Sequence, residues 1–289
     1  MKASTPSTNM EPAMPTTPAE KRIAFRRLHE SGCFVLPNPW DMGSAIALES
    51  LGFKAIASTS AGLAWSLGRP DNKVELGRVL AHLKALAQAV DIPLNADFEN
   101  AFADDPPGVR ANVALAVETG VAGLSVEDST GDAEAPLYDF TLAVERIAAA
   151  REAIDAGGTG AVLTARSEGF IAGRPDFDET LRRLTAFAAA GADCLYAPGL
   201  RQESQIAELV EAVASKPVNV LTPGLTVAAL EALGVRRISV GGSLARAAWG
   251  EFLRAAREIA ADGTFTAFAR AEPGGQLNRL FSSWPEEAR

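Results

Sequence analysis

The chain has 289 residues, 47% of them hydrophobic and 22% charged, with a formal net charge of −9. That suits one large globular domain or two small ones. No apolar run approaches the ~20 residues of a membrane span, no long basic run marks a nucleic-acid surface, and two cysteines, Cys33 and Cys194, do not make a disulfide framework.

Residues 1–19 are rich in Ser, Thr and Pro and lack the apolar stretch of a signal peptide. They read as a disordered arm, and the expected location is cytoplasmic. A first short apolar run, Cys33–Leu36, ends in Asn38-Pro39-Trp40-Asp41. The second, Ala55–Ser58, runs into Ser58-Thr59-Ser60-Ala61-Gly62. A helical pattern over Val74–Val90 leads to the third run, Ile92–Asp97, which closes on two carboxylates, Asp97 and Glu99. Helix Pro107–Thr119 stops at Gly120, and the fourth run, Gly123–Glu127, is followed by Asp128. Helix Leu142–Asp155 precedes Ala161–Arg166 and Glu168. Helix Asp178–Ala190, stopped by Gly191, precedes Cys194–Ala197, which carries Tyr196. Helix Gln202–Ala214 leads to Val218–Leu221, which holds Asn219 and runs on to Thr222. Helix Thr226–Ala232 leads to Ile238–Val240, then Gly241-Gly242-Ser243 and helix Leu244–Ala261. The tail, residues 266–289, carries Leu277, Leu280, Phe281 and Trp284 and is apolar enough to pack on the rest of the chain or on a partner subunit.

Eight short, continuous apolar runs alternating with helices are the pattern of strands buried on both faces. The expected fold is α/β, a parallel (β/α)8 TIM barrel over residues 20–265. A doubly wound open sheet competes, but no G-x-G-x-x-G turn follows the first strand. In such a barrel the chemistry sits at the C-terminal strand ends. Those ends gather Asp97, Glu99, Glu127 and one more acid, Asp128, which reads equally well as an ordinary loop charge. Converging carboxylates repel unless neutralised. Oxygen-only ligands suit a hard divalent ion, Mg²⁺ first and Mn²⁺ as the alternative. The bland reading of the same residues is helix caps and surface charge.

Other side chains narrow the chemistry by where they are missing. The only histidines, His29 and His82, fall in helical segments, which excludes a histidine metal site and a Ser–His–Asp triad. Lys54 and Lys216 precede their strands, so a Schiff-base lysine is disfavoured. Arg166 is the one cation at a strand end. It could pair with Glu168 or Glu127, or bind a substrate carboxylate or enolate oxygen. Ser58-Thr59-Ser60 could hold a carboxylate or be a plain turn, and Gly241-Gly242-Ser243 is a weak phosphate signal.

The stretches N-P-W-D-M-G-S-A (38–45), S-T-S-A-G-L-A (58–64), G-R-P-D (68–71), P-L-N-A-D-F-E-N-A-F (93–102), G-L-S-V-E-D (123–128) and L-T-A-R-S-E (163–168), in this order, resemble the isocitrate lyase/phosphoenolpyruvate mutase superfamily. The resemblance runs from about Ile23 to Phe265. It implies a barrel in homo-oligomers, dimers or tetramers, with a C-terminal helix swapped between subunits. It implies Mg²⁺ held directly or through water by Asp97, Glu99, Glu127 and Asp71. It implies substrate contacts from Ser58, Thr59, Ser60 and Arg166, with Trp40 and Asn219 as further candidates at strand ends. The expected catalytic set is Arg166, Glu127 and Tyr196, with Tyr138 and metal-bound water as other proton donors. Two departures stand out. Ala101 replaces a usual glycine, and residues 129–138 (S-T-G-D-A-E-A-P-L-Y) lack both the lyases' Lys-(Lys/Arg)-Cys-Gly-His run and the phosphonate enzymes' Thr-Asn pair. The expected activity is therefore Mg²⁺-dependent C–C cleavage or decarboxylation of a small 2-oxo acid. Phosphonopyruvate-type or carboxyphosphonate-type hydrolase or mutase chemistry is the first alternative, and a non-catalytic 2-oxo-acid binding protein the second.

Overall fold

Strands β1 Phe34–Leu36, β2 Ile56–Ala57, β3 Leu94–Asp97, β4 Gly123–Glu127, β5 Val162–Arg166, β6 Cys194–Tyr196, β7 Val218–Leu221 and β8 Arg237–Ser239 pair in parallel in the order β1-β8-β7-β6-β5-β4-β3-β2. Between β1 and β2 no ladder forms, but the Ala57 N–H donates to the Pro37 carbonyl at 3.0 Å. The sheet is thus a nearly closed (β/α)8 barrel. The computed structural model describes residues 16–214, 216–221, 224–282 and 284. Thr222 and residues 1–15 of the expected arm lie outside them.

The expected arm ends sooner than its composition suggests. Helix α1, Pro18–Leu28, starts inside it: Thr17 caps the Glu20 N–H, Glu20 answers to the Thr17 N–H, and Pro18 fills a position that needs no donor. This helix plugs the N-terminal face of the barrel. Lys21 donates to the carbonyls of Ala87 and Val90, Arg22 to Val117 and Val121, and Arg26 to Gly160 and Ala161. Phe25, fully buried, packs with Leu36, Ala55, Ala57, Ala122 and Val162. These three cations thereby satisfy carbonyls at the ends of two outer helices (Ala87, Val90 and Val117) and just before the fourth and fifth strands (Val121, Gly160 and Ala161).

Helices α2 Met42–Ser50 and α3 Ser60–Ser66 follow β1 and β2; α4 Leu76–Ala89, α5 Pro106–Glu118, α6 Phe140–Ala156, α7 Phe177–Ala189, α8 Glu203–Ala212 and α9 Val227–Ala232 complete the outer ring. Their inner faces and the outward strand residues form the main core. α10, Ser243–Asp262, is different: in 20 residues it buries only Ala245 and leaves Trp249, Phe252, Leu253 and Ile259 exposed. The tail then returns to its own barrel through a 3₁₀ turn, Thr266–Arg270, and α11, Gly274–Ser282. Trp284 donates its indole N–H to the Ala89 carbonyl at 2.7 Å. Among the described residues no helix is long and apolar enough to cross a membrane.

Candidate active site

The ends of β3, β4 and β5 place Asp97, Glu127 and Arg166 side by side, with Glu127 directly opposite Arg166 in the ladder. The guanidinium of Arg166 takes up the pairing expected of it, with Glu168 and Glu127, and adds Asp97. It reaches Asp97 Oδ1 at 2.6 Å, Glu127 Oε2 at 3.1 Å and Glu168 Oε1 at 2.9 Å through one terminal nitrogen and 3.0 Å through Nε. Two of these contacts are hydrogen bonds, to Asp97 and from Nε to Glu168, and the contact with Glu127 is an ion pair. The Tyr196 ring lies 5.2 Å away on one face.

Asp97 is held from the other side too. Its Oδ2 accepts the Ser60 N–H at 2.9 Å, and its own N–H donates to Ser58 Oγ at 2.8 Å. Thr59 caps α3 by accepting the Gly62 N–H. The Ser58-Thr59-Ser60 stretch is therefore a strand-to-helix junction, not a plain turn, and it aims a helix N-terminus at Asp97. The following loop carries Glu99 at φ +47° and Ala101 at φ +58°. Ala101 holds the left-handed conformation that glycine would adopt freely, at a steric cost of about 1 kcal/mol.

Negative charge exceeds what Arg166 offsets. Burial raises the Glu127 carboxyl well above the usual range against the pull of Arg166, with Glu168, Asp97 and Glu99 adding to the rise. Burial, then Asp97 and Asp71, pushes Glu99 up to about 8. Burial and Asp97 also raise Asp71, at the rim. Such a cluster gains from a further cation, and its donors are all oxygen, which fits a hard divalent ion. Among the described residues no three acids are gathered closely enough to enclose a metal by themselves. An ion that keeps several waters needs only one or two carboxylates.

A cavity of about 230 Å³ opens at this mouth, touched by Ser58, Ser60, Asp71, Asp97, Arg166 and Tyr196 and reaching Asn219 and Arg237 below. Glu99 and Glu127 face an adjoining space of about 190 Å³ with Lys73, Ser129 and Thr130. Trp40 lines neither; its Cβ stands against Gly62 of α3. A larger groove of about 1050 Å³ lies outside the barrel between α1, α5 and α6 and meets no strand end.

The two tyrosines separate cleanly. Burial pushes the Tyr196 hydroxyl up to about 12, and it shares a hydrogen bond with Ser239 at the cavity wall. Tyr138 donates to Asp104 at 2.6 Å, accepts from Asn100 at 3.1 Å and lies under the Arg146 guanidinium. Its proton is committed away from the mouth, which removes it from the candidate donors. Asp128 also turns away: it accepts from the Glu168 N–H at 2.8 Å, the Ser167 hydroxyl and Arg183. It braces the β5 loop against α7. Residues 129–138 close on themselves through the Ser129–Leu137 bridge, and Arg183 donates to the Tyr138 carbonyl at 3.0 Å.

Arg237 escaped the sequence reading, whereas the pairing of Arg166 with Glu168 was among its alternatives. The eighth strand begins at Arg237, one residue before the apolar run Ile238–Val240. The available signal was the alternation Arg237-Ile238-Ser239, polar residues on the face that barrels usually fill with branched aliphatics.

A family model for phosphoenolpyruvate phosphomutase matches residues 25–260. Protein Rv1998c of Mycobacterium tuberculosis, of uncharacterised function, is 34% identical over 223 residues, 76% of this chain and 82% of its own. The oxaloacetate decarboxylase of Bradyrhizobium diazoefficiens is 26% identical over 212 residues, 68% of this chain and 71% of its own. Among solved structures, a provisionally assigned lyase/mutase of Burkholderia cenocepacia J2315 superposes with a TM-score of 0.89 at 48% identity, covering 92% of this chain and 96% of that one. A phosphonopyruvate hydrolase in complex with oxalate and Mg²⁺ superposes with a TM-score of 0.80 at 27% identity, covering 91% and 95%.

Proposed function

The chain belongs to the phosphoenolpyruvate phosphomutase family of the isocitrate lyase/phosphoenolpyruvate mutase superfamily, and from that membership we propose that it is a divalent-metal-dependent lyase acting on a small 2-oxo acid. The observation that carries this is the Arg166 guanidinium held by three carboxylates at the mouth of a cavity that Asp71 and Asp97 also line. Asp97 is the first candidate ligand of Mg²⁺, with Asp71, Glu99 and Glu127 acting directly or through water. When bound there, the ion supplies Lewis-acid polarisation of the 2-oxo oxygen.

The remaining steps belong to the chain. Ser58, Thr59 and Ser60 orient the acid at the N-terminus of α3. Breaking the bond between the carbons β and γ to the substrate's first carboxylate leaves its electron pair as an enolate at the former 2-oxo group. The guanidinium of Arg166 donates to that developing negative oxygen, a kind of stabilisation worth several kcal/mol in other enzymes. One proton must return to carbon. Tyr196 stays protonated across the physiological range and borders the cavity, so it is the donor of choice. Residues 129–138 carry no Cys, Lys, His or Asn. Neither the lyases' acid nor the phosphonate enzymes' loop pair has a counterpart there, which favours decarboxylation of, or acyl loss from, an oxaloacetate-like acid over isocitrate cleavage and P–C chemistry.

We further place the chain in a homo-oligomer. A 20-residue helix that buries one alanine, and is otherwise met by the 3₁₀ turn through Glu258, leaves most of its apolar surface uncovered. The exposed Trp249, Phe252 and Leu253 supply the surface for a second copy.

The test is a panel of small 2-oxo acids, oxaloacetate and phosphonopyruvate included, with Mg²⁺ and with chelator, products being identified by NMR. Pyruvate or another 2-oxo fragment should accumulate only with metal. Calorimetry of oxalate with Mg²⁺ should show binding that Asp97→Asn abolishes. Product formation in chelator, or full oxalate affinity in that variant, removes the metal from the reading.

A further inference from the structure

Three buried ionic side chains stand behind the mouth and line neither of its two spaces: Asp128, Glu168 and Arg183. The Glu168 carboxylate goes to Arg166, at 3.0 Å from Nε and 2.9 Å from a terminal nitrogen. Asp128 holds the same strand end with both its backbone and its side chain. Its N–H donates to the Arg166 carbonyl at 3.1 Å. Its Oδ1 accepts the Glu168 N–H at 2.8 Å, and its Oδ2 accepts the Ser167 hydroxyl at 3.3 Å. Arg183 of α7 completes the series. One terminal nitrogen reaches Asp128 Oδ2 at 3.2 Å and the Tyr138 carbonyl at 3.0 Å, and Nε reaches Glu179 at 2.7 Å.

A buried ion pair is a poor device for stability alone. Desolvating both charges costs about what their attraction returns, and apolar residues of the same volume often serve as well. What the pair supplies here is direction. The last sheet-like bond on this stretch is from the Ser167 N–H to the Tyr196 carbonyl, at 2.9 Å. Glu168 lies beyond it, at the start of a turn in which its carbonyl accepts from Ile171 and Ala172. No ladder therefore holds the Glu168 backbone; the Asp128 carboxylate does. That tether keeps Glu168 on the same side of the chain as Arg166, two residues back.

We propose that Asp128, held in place by Arg183, is a positioning residue: through the backbone of Glu168 it keeps that carboxylate on Arg166 and so aims the guanidinium at the oxygen that becomes negative in the reaction. The inference rests on the functional reading above, in which Arg166 donates to the enolate oxygen. It gives Asp128 and Arg183 no contact with substrate or metal.

Oxalate and pyruvate make a matched pair of probes. Oxalate has the shape and charge of the enolate of pyruvate, and pyruvate is the keto form with a neutral oxygen at C2. A change in their affinity ratio, measured by calorimetry on the full chain with Mg²⁺, reads donation to the developing charge. Pyruvate alone reads the metal and the carboxylate anchor. Asp128→Ala removes the tether and leaves Arg183 paired with Glu179. It should lower the oxalate-to-pyruvate ratio about tenfold and leave pyruvate affinity within about threefold. Asp128→Asn is nearly isosteric and guards against misfolding. Its one oxygen serves Arg183 or the Glu168 N–H but not both, so the ratio should fall about fivefold. In a Glu168→Gln background Asp128→Asn should lower the ratio no further, because it acts through Glu168. A ratio within about twofold of wild type in folded Asp128→Ala or in Asp128→Asn overturns the inference and leaves the proposed function standing. So do losses that add in the double variant, and so does an equal loss for both probes, which marks a disturbed fold and not a misdirected guanidinium. A wild-type protein that binds neither probe with Mg²⁺ defeats the functional reading, and the positioning role falls with it.

Discussion

Arg166 shows how much one side chain can be asked to do. Its fork links three acids, and a lysine in its place would keep the charge but present a single point of it. Arg166→Lys is expected to lower kcat/KM by ~10²-fold or more, since misplacing the reacting groups by about 1 Å is enough for that loss, with a melting temperature close to wild type. A kcat/KM within twofold of wild type would take Arg166 out of the chemistry. His29 offers a separate test, far from the mouth. Burial first, then the charge of Arg237, lowers its pKa to about 3. The unfolded chain binds a proton near pH 6.5 that the folded chain refuses. The neutral imidazole thus contributes full stability above pH 6.5, and that contribution drains away as pH falls towards 3. Replacing it with glutamine, which can still accept from Arg237, removes the titration. Denaturant unfolding at pH 7 and pH 5 should show the wild type losing of the order of 1–2 kcal/mol more than His29→Gln over that interval. Parallel losses in the two proteins would mean that His29 titrates in the fold as it does in the unfolded chain.

At the scale of elements, the eight strands were legible because each is a short apolar run with a glycine stop or turn before it. The helices that went unseen fail for identifiable reasons. α1 hides its capping box inside a Ser/Thr/Pro-rich stretch, so Thr17-Pro18 read as arm rather than as helix start. α3 is only seven residues long and glycine- and alanine-rich, so Ser58-Thr59-Ser60 passed for a turn until its cap was visible. The acids at the ends of β3 and β4 were found because strand-end position alone predicts them. Arg237 was not, because burial of a charge carries no periodic signal. One element boundary is set by a hydrogen atom. At Gly123, the first residue of β4, an added Cβ would stand 2.8 Å from both the Val162 carbonyl oxygen and the Phe25 ring, and 3.0 Å from Asn95 Oδ1. The neighbouring strand and the α1 plug cannot both yield. Gly123→Ala should cost about 1–3 kcal/mol of overpacking, seen as a lower midpoint in urea with an unchanged slope. An unaltered midpoint would show that α1 moves freely on the barrel floor.

For the whole molecule, the fold class followed from the number of strands, but the state of association does not follow from a single chain. The charge pattern says only that the surface is acidic, with a net −9. The geometry adds that α10 projects from the barrel with Trp249 packed edge-on against Phe252, and with Phe265 stacked on Phe268 just beyond it. Phe252, Phe265 and Phe268 are each more than half exposed. Aromatic pairs so presented bury ~150–250 Å² per residue when covered, so a few of them approach the area that a stable interface needs. A helix this solvated also needs a partner to remain ordered. Light scattering behind size exclusion should therefore give a mass at least twice that of the 30.2 kDa chain. Phe252→Glu should shift it toward the monomer, because a buried unpaired carboxylate is not tolerated at such a contact. Helical circular dichroism should fall together with the mass, since α10 loses its support. A wild-type protein that runs as a monomer with α10 fully protected from hydrogen exchange would show that the helix needs no second copy, and the aromatic face would then require another explanation.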